Sequence, residues 1–255
     1  MRKIIFYTVL TLWSVTAFSQ TEEGLSKERY SGKGIIYDQE ISFDLSKMTK
    51  GYNFGMNFGK LKTFYLTRYF GFNLAEFKHH KEYKLSLNNT GGLTESVFFG
   101  KQNNFYGLRA YVGEKRYFSE KSKVKGVAVG INYSLGFNLG MTKPYYVLIR
   151  SFDQEPEAIK YSESTAEEFL NTSLMRGAAP WTEGLTELGF YPGATAKVAV
   201  HVDWGAFDEY LKAVEAGISL DVFPQNIPVM VPTEGTENRK YFINLFLTLQ
   251  LGKRT

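Results

Sequence analysis

The chain has 255 residues, with 30 Lys and Arg against 26 Asp and Glu, 21 Phe, 17 Tyr, 24 Gly and no cysteine. That length suits one medium domain or two small ones, and a scattered net charge of +4 gives no footprint for nucleic acid. The missing thiol excludes disulfides, thiolate zinc, iron–sulfur clusters, cysteine nucleophiles and a lipidated N-terminal cysteine, while a mean hydropathy of -0.24 reads as an ordinary soluble protein.

Residues 1–19 read as a cleaved secretory signal peptide. Arg2 and Lys3 are its basic start, Ile4 to Val15 its apolar stretch, and Ala17-Phe18-Ser19 puts small residues at the positions a signal peptidase reads before Gln20. The stretch is shorter than the ~20 apolar residues of a spanning helix, so the segment is an address rather than an anchor. Residues 20–32 are a polar, flexible lead-in, and 33–255 form the structured domain.

From residue 35 the dominant signal is a period of two. Ile35, Tyr37, Ile41, Phe43 and Leu45 share one parity, opposite Asp38, Glu40, Ser42, Asp44 and Ser46. Tyr52, Phe54, Met56 and Phe58 alternate with Asn53, Gly55, Asn57 and Gly59. The segment 125–141 alternates most clearly, from Val127 to Met141 against Ala128 to Gly140. Similar alternation marks 194–204, 210–222 and 241–252, and weaker strands are expected at 62–77, 103–115 and 144–150. The total is nine, and membrane barrels of one chain use even numbers. Either a strand is hidden in 82–100, or one short candidate stands outside the barrel. Arg68 poses a second difficulty, because it shares parity with Leu66, Phe70 and Phe72. A charge facing the middle of a bilayer costs ~2–4 kcal/mol, so either Tyr65 and Tyr69 face outward or Arg68 sits at an interface.

Short connections are expected at 48–51, 59–62, 141–144 and 205–209, and long ones at 78–102, 151–193 and 223–240. The loop at 151–193 carries a helix signal: Thr165 as cap, Glu168 three residues on as a capping box, and Gly177 as the end. Pro224, Pro228 and Pro232 keep the last loop out of strand pairing.

The polar parity selects the architecture. Bulky aliphatics and rings on one face oppose Gly, Asn and isolated charges on the other, as suits a lipid-facing wall around a narrow, crowded lumen. The fold class expected is therefore all-β: an antiparallel transmembrane β-barrel of about 8–10 strands with one long helix-containing loop. A soluble sandwich or a periplasmic barrel around an apolar ligand is the alternative.

The stretch Phe99–Tyr106, with Leu108-Arg109, Lys115-Arg116, Ser119–Lys121, Lys125–Gly130 and Lys143–Tyr146, resembles an uncharacterised outer-membrane β-barrel family of the Bacteroidota. Lys78–Glu82, Pro192-Gly193 and Leu251–Arg254 extend the likeness over most of the mature chain. The resemblance implies a cell outer-membrane barrel and carries no activity with it.

On the polar face of 194–222, His201, Asp203, Glu215 and Ser219 share one parity. A His beside a carboxylate and a Ser is the material of acyl transfer, as in an outer-membrane lipid-modifying enzyme. These groups face the lumen, however, and no lipase, deacylase or omptin motif surrounds them. The favoured reading is a lumenal polar network in which Lys197, Arg109 and Lys115 pair with Asp203, Glu215, Asp44 and Glu40. No catalytic, cofactor or metal residue is assigned. His79-His80 on a strand would point to opposite faces, leaving a basic interfacial loop, and Asn88–Gly92 is a turn. The expected role is structural, accessory or partner-binding, or that of a narrow selective conduit. The expected partners are outer-membrane lipid and a protein bound through 151–193, with no nucleic acid.

Overall fold

The computed structural model describes residues 37–63, 65–88, 94–118, 127–150, 156–204, 209–233 and 236–255. The signal peptide, the lead-in and most of the Asn88–Gly92 turn lie outside the described residues.

In chain order the strands are β1 (Gln39–Met48), β2 (Gly51–Thr63), β3 (Leu66–Phe77), β4 (Lys84–Asn88), β5 (Thr94–Phe98), β6 (Asn103–Tyr117), β7 (Ala128–Pro144), β8 (Tyr146–Arg150), β9 (Pro156–Lys160), β10 (Met175–Ala178), β11 (Gly189–Asp203), β12 (Tyr210–Val222) and β13 (Tyr241–Arg254). Among the described residues one short helix, α1 (Ala166–Leu170), precedes β10. Eight strands close into one barrel in the order β1-β13-β12-β11-β7-β6-β3-β2. Each barrel strand pairs antiparallel with the barrel strands that precede and follow it, and closure pairs β1 with β13, Glu40 lying opposite Arg254.

The even count follows because 144–150 is not a barrel strand. Pro144 ends β7, and β8 joins β9 and β10 in a separate three-stranded sheet. The segment 82–100 does hold strands, but as the separate hairpin β4–β5. Two expected turns also move. Residues 59–62 lie within β2 and 141–144 within β7, because the alternation there continues into the ladder. Thr165 caps α1 without a side-chain bond to the helix. Its hydroxyl instead donates to the Lys160 carbonyl at 2.8 Å and accepts from Ser162 N–H at 3.0 Å, so the capping box does not form. The helix ends at Asn171, and Gly177 belongs to β10.

Burial is inverted relative to a soluble protein. On β1, Glu40, Ser42, Asp44 and Ser46 are buried, while Ile41, Phe43 and Leu45 are exposed. Phe137 on β7 is 81% exposed, whereas His201, Asp203, Glu215 and Asp221 are fully buried. A soluble sandwich or barrel would hide the first set and hydrate the second. Along β3 the outward apolar run lies between Arg68 and Glu76. At ~3.3 Å rise per residue and ~40° of tilt, that run is roughly 20 Å high, close to the apolar band of a membrane barrel.

The three long connections leave from one end of the barrel. Those joining β3 to β6, β7 to β11 and β12 to β13 build a cap there, and the first and last strands begin and end at the opposite rim. At the capped end, Thr49 and Lys50 form the tight β1–β2 turn. Gly51 enters β2 at φ +128°, where the Glu76 carbonyl would collide with any Cβ.

Candidate functional site

The lumen is filled from end to end, in layers that the strand parity sets. Inward glycines make room for rings. A Cβ on Gly113 would stand 2.6 Å from the Tyr69 ring, and one on Gly71 would stand 2.8 Å from that of Tyr111. Tyr69 Oη donates to Asn132 Oδ1 at 2.6 Å and Tyr111 Oη to Asn57 Oδ1 at 2.7 Å, so both hydroxyls are satisfied inside the barrel.

Towards the termini end lies a continuous charge network. Lys115 Nζ sits 2.7 Å from Glu40 Oε1 and from Gln250 Oε1, and Gln250 passes a hydrogen bond of 2.6 Å to Asp44. Arg254 donates Nε to Glu40 at 2.9 Å and Nη2 to Asp203 at 2.7 Å. Glu215 accepts from Lys197 Nζ at 2.7 Å and from Asn132 Nδ2 at 2.6 Å, and lies 2.9 Å from His201 Nδ1. Near the capped end, Arg109 forms a two-pronged pair with Asp221, which also accepts from Asn138. Four carboxylates (Glu40, Asp203, Glu215, Asp221) thus meet four permanent cations (Arg109, Lys115, Lys197, Arg254), with His201 as a further basic group and Asp44 held by Gln250. Charges this deeply buried are tolerable only when so paired.

The eight residues singled out from the sequence, Glu40, Asp44, Arg109, Lys115, Lys197, His201, Asp203 and Glu215, all lie in this lumen. Two partners were missed: Arg109 pairs with Asp221, and Asp203 with Arg254. Both carry the inward parity of their strands, which is the signal that finds them.

The geometry keeps Ser219 away from His201. Its Nε2 faces Tyr117 Oη at 3.1 Å. Ser219 is opposite Lys197 in the ladder while His201 is opposite Glu215. Four residues of strand, roughly 13 Å, separate the two positions. Among the described residues no group of three or more His, Asp or Glu is placed to hold a metal. His79 and His80 follow β3 in a non-strand segment, their ring centroids 4.2 Å apart, rather than facing opposite ways along a strand.

Between the Arg109 pair and the lower network is a cavity of about 20 Å³ lined by Asn53, Asn73, Tyr111, Ser134, Lys197 and Ser219 among others. Asn53 Oδ1, Asn73 Oδ1 and Ser219 Oγ have no protein partner. The space and the polar lining suit one ordered water.

Above Arg109 the lumen is closed by rings. Phe77 stacks on Phe105 at 5.0 Å, Phe242 packs on both at 5.4 and 5.1 Å, and Phe223 packs on Phe105 at 5.4 Å. The guanidinium of Arg109 lies 5.0 Å from the Phe77 ring centre. Ile227, Val229 and Met230 complete this plug, carried over the mouth by the 223–240 connection. That segment is pinned: Asn238 Oδ1 accepts from Val229 and Met230 N–H at 3.0 Å, and Asn103 Nδ2 donates to the Pro228 carbonyl at 2.6 Å.

The cap has its own apolar core, in which Leu87 and Val97 of the hairpin meet Val147, Ile149, Ile159, Phe169 of α1, Met175 and Val231. Lys101 and Glu82 form a buried pair at 2.8 Å beside it.

No family model and no curated relative matches the chain. Among solved structures it is similar to neisserial surface protein A (8% identity, TM-score 0.40, covering 86% of this chain and 96% of that one). It is also similar to Ail, the attachment invasion locus protein of Yersinia pestis, in complex with a heparin analogue (8%, TM-score 0.38, 86% and 97%). The N-terminal β-barrel domain of Pseudomonas aeruginosa OprF is a third (10%, TM-score 0.35, 86% and 98%). The closed eight-stranded antiparallel barrel rests on this chain's own strand pairing.

Proposed function

We propose that this chain is an outer-membrane β-barrel, exported by a cleaved signal peptide and of the Bacteroidota kind that its sequence resembles. Its barrel anchors a folded cap that serves as a partner-binding surface on the cell exterior. The observation that carries this reading is the filled lumen. A conduit needs a continuous polar path, and here paired charges occupy one end while a plug of phenylalanines closes the other. What remains available is the cap, where the long connections gather at the end that membrane barrels of this kind turn outward.

The inverted burial supports the membrane reading against a soluble barrel, and the displacement of Ser219 from His201 weighs against a lumenal acyl-transfer centre. The test is affinity purification from native membranes with the intact chain and with a chain whose β8–β10 sheet is replaced by a short linker. Both should fractionate with the outer membrane and migrate differently on gels when heated. A co-purifying protein should be lost only from the second. A detergent-free, monodisperse protein would defeat the membrane reading, and identical co-purifying proteins would defeat the role of the cap.

A further inference from the structure

At the rim opposite the cap, the outer wall carries a group of charges gathered around Glu114. Arg68 of β3 donates Nε to Glu114 of β6 at 2.8 Å, and Arg116 donates Nε and Nη2 to the other Glu114 oxygen at 3.3 and 3.1 Å. The Tyr133 hydroxyl of β7 bonds to the same carboxylate. Both guanidiniums are more than half exposed, at 51% and 56%, while Glu114 is shielded at 19%. Glu114 thus bridges two cations, and Lys60, the register partner of Arg68 on β2, stands beside them as a third.

Lys60, Arg68, Glu114 and Tyr133 border a groove of about 860 Å³ on the outer wall, and Arg116 stands next to it through its pair with Glu114. Phe70, Val112 and Leu135, each outward and exposed, line it on the side toward the middle of the apolar band. Excess positive charge on a wall facing lipid is stable only at the level where phosphates stand, and each guanidinium carries five N–H donors in a fork that fits phosphate oxygens. A basic head beside an apolar trough therefore matches one kind of molecule.

We propose that this groove seats one glycerophospholipid of the periplasmic leaflet. Its phosphate lies on Arg68, Arg116 and Lys60, and an acyl chain follows Phe70, Val112 and Leu135. Glu114 and Tyr133 hold the two guanidiniums together so that their remaining donors face outward. The inference rests on the outer-membrane reading above and adds to it a defined lipid site.

The test is native mass spectrometry of the full chain in detergent, offered phosphatidylglycerol or diacylglycerol with the same acyl chains. Wild-type protein should retain phosphatidylglycerol about tenfold more than diacylglycerol. R68Q/R116Q should lower retention to the diacylglycerol level. K212Q, which removes an exposed cation from the same rim on β12, should leave it unchanged. Equal retention of the two lipids by wild-type protein, or unchanged retention by R68Q/R116Q, would overturn the site. So would a detergent-stable dimer of wild-type chains that R68Q/R116Q splits, because the groove would then belong to a second copy. Heat-dependent gel migration of the same samples keeps the readings apart. A variant that still shifts with heating is a folded barrel, whereas a wild-type chain that never shifts refutes the barrel and not merely its lipid.

Discussion

Arg109 on β6 donates Nε to Asp221 Oδ1 at 2.9 Å and Nη2 to Oδ2 at 2.6 Å, bracing β12 from across the lumen beneath the Phe77 ring. Both side chains are buried, so loss of one leaves the other without access to bulk solvent. Replacing Asp221 by Asn should therefore destabilise the barrel by about 3–5 kcal/mol, chiefly through the stranded guanidinium. Urea titration in detergent, followed by tryptophan fluorescence, measures this. The double change R109L/D221L should cost less than D221N alone. A single-mutant cost below about 1 kcal/mol would mean that water already reaches the pair.

Phe105 is buried and touches Phe77, Phe223 and Phe242 at once. Its replacement by Ala should cost about 3–5 kcal/mol and lower the temperature at which the heat-shifted gel band appears. Planar-bilayer conductance should stay at baseline, because the Glu40, Lys115, Arg254 and Asp203 network still blocks the lower lumen. Conductance in F105A would show that the rings alone seal the barrel.

Phe137 stands outward near the middle of β7, and Tyr210 stands outward at the rim, where β12 begins. F137R should impair folding into phospholipid vesicles by ~2–4 kcal/mol, whereas Y210R should cost at most ~1 kcal/mol. Equal effects would contradict the placement of the apolar band.

Phe169 of α1 is fully buried in the cap core, with its ring edge-on to Tyr161. F169A should speed protease cleavage within 156–178 while leaving heat-dependent gel migration unchanged, since the apolar cluster around it is built from cap residues. Loss of the heat shift would instead make cap and barrel one cooperative unit.

His79 lies in the cap, and burial holds its pKa below the usual 6.5, with His80 and Arg239 adding to the depression. Lys81 N–H donates to its Nδ1 at 3.3 Å, so Nε2 carries the proton toward the Glu237 carbonyl. Protonating Nδ1 breaks the Lys81 bond. The unfolded chain takes up this proton first, so the contribution of His79 is intact above about pH 6.5 and declines as pH falls from there toward the lower folded value. Amide protection of Lys81 and Glu82 should therefore be weaker at pH 5 than at pH 8, and H79Q should flatten the difference.

Much of this molecule is legible in strand parity. Alternation alone separates Ile41, Phe43 and Leu45 from Glu40, Ser42 and Asp44, and the same rule puts His201, Asp203, Glu215 and Asp221 on an inward face. The average hydropathy conceals this because it sums both faces of each strand. Arg68 shows where parity runs out: it is outward, as the alternation says, and acceptable because it stands near the start of β3 against Glu114. Local pattern gives direction, not height in the wall.

Closure decided the rest. Arg254 meets Glu40 because β13 pairs with β1, and Lys115 reaches Glu40 only because β6 faces β1 across the lumen. The short run 144–150 alternates like a barrel strand, yet it finds its hydrogen-bond partners in β9 and β10. Side-chain direction is a property of successive residues and can be read along the chain. Partners are set by closure and by where each long connection re-enters the ring, and those contacts join residues far apart in sequence. The identity of the strands and their two faces was therefore written locally, while the filled lumen, the plug at its mouth and the capped end exist only in the closed barrel.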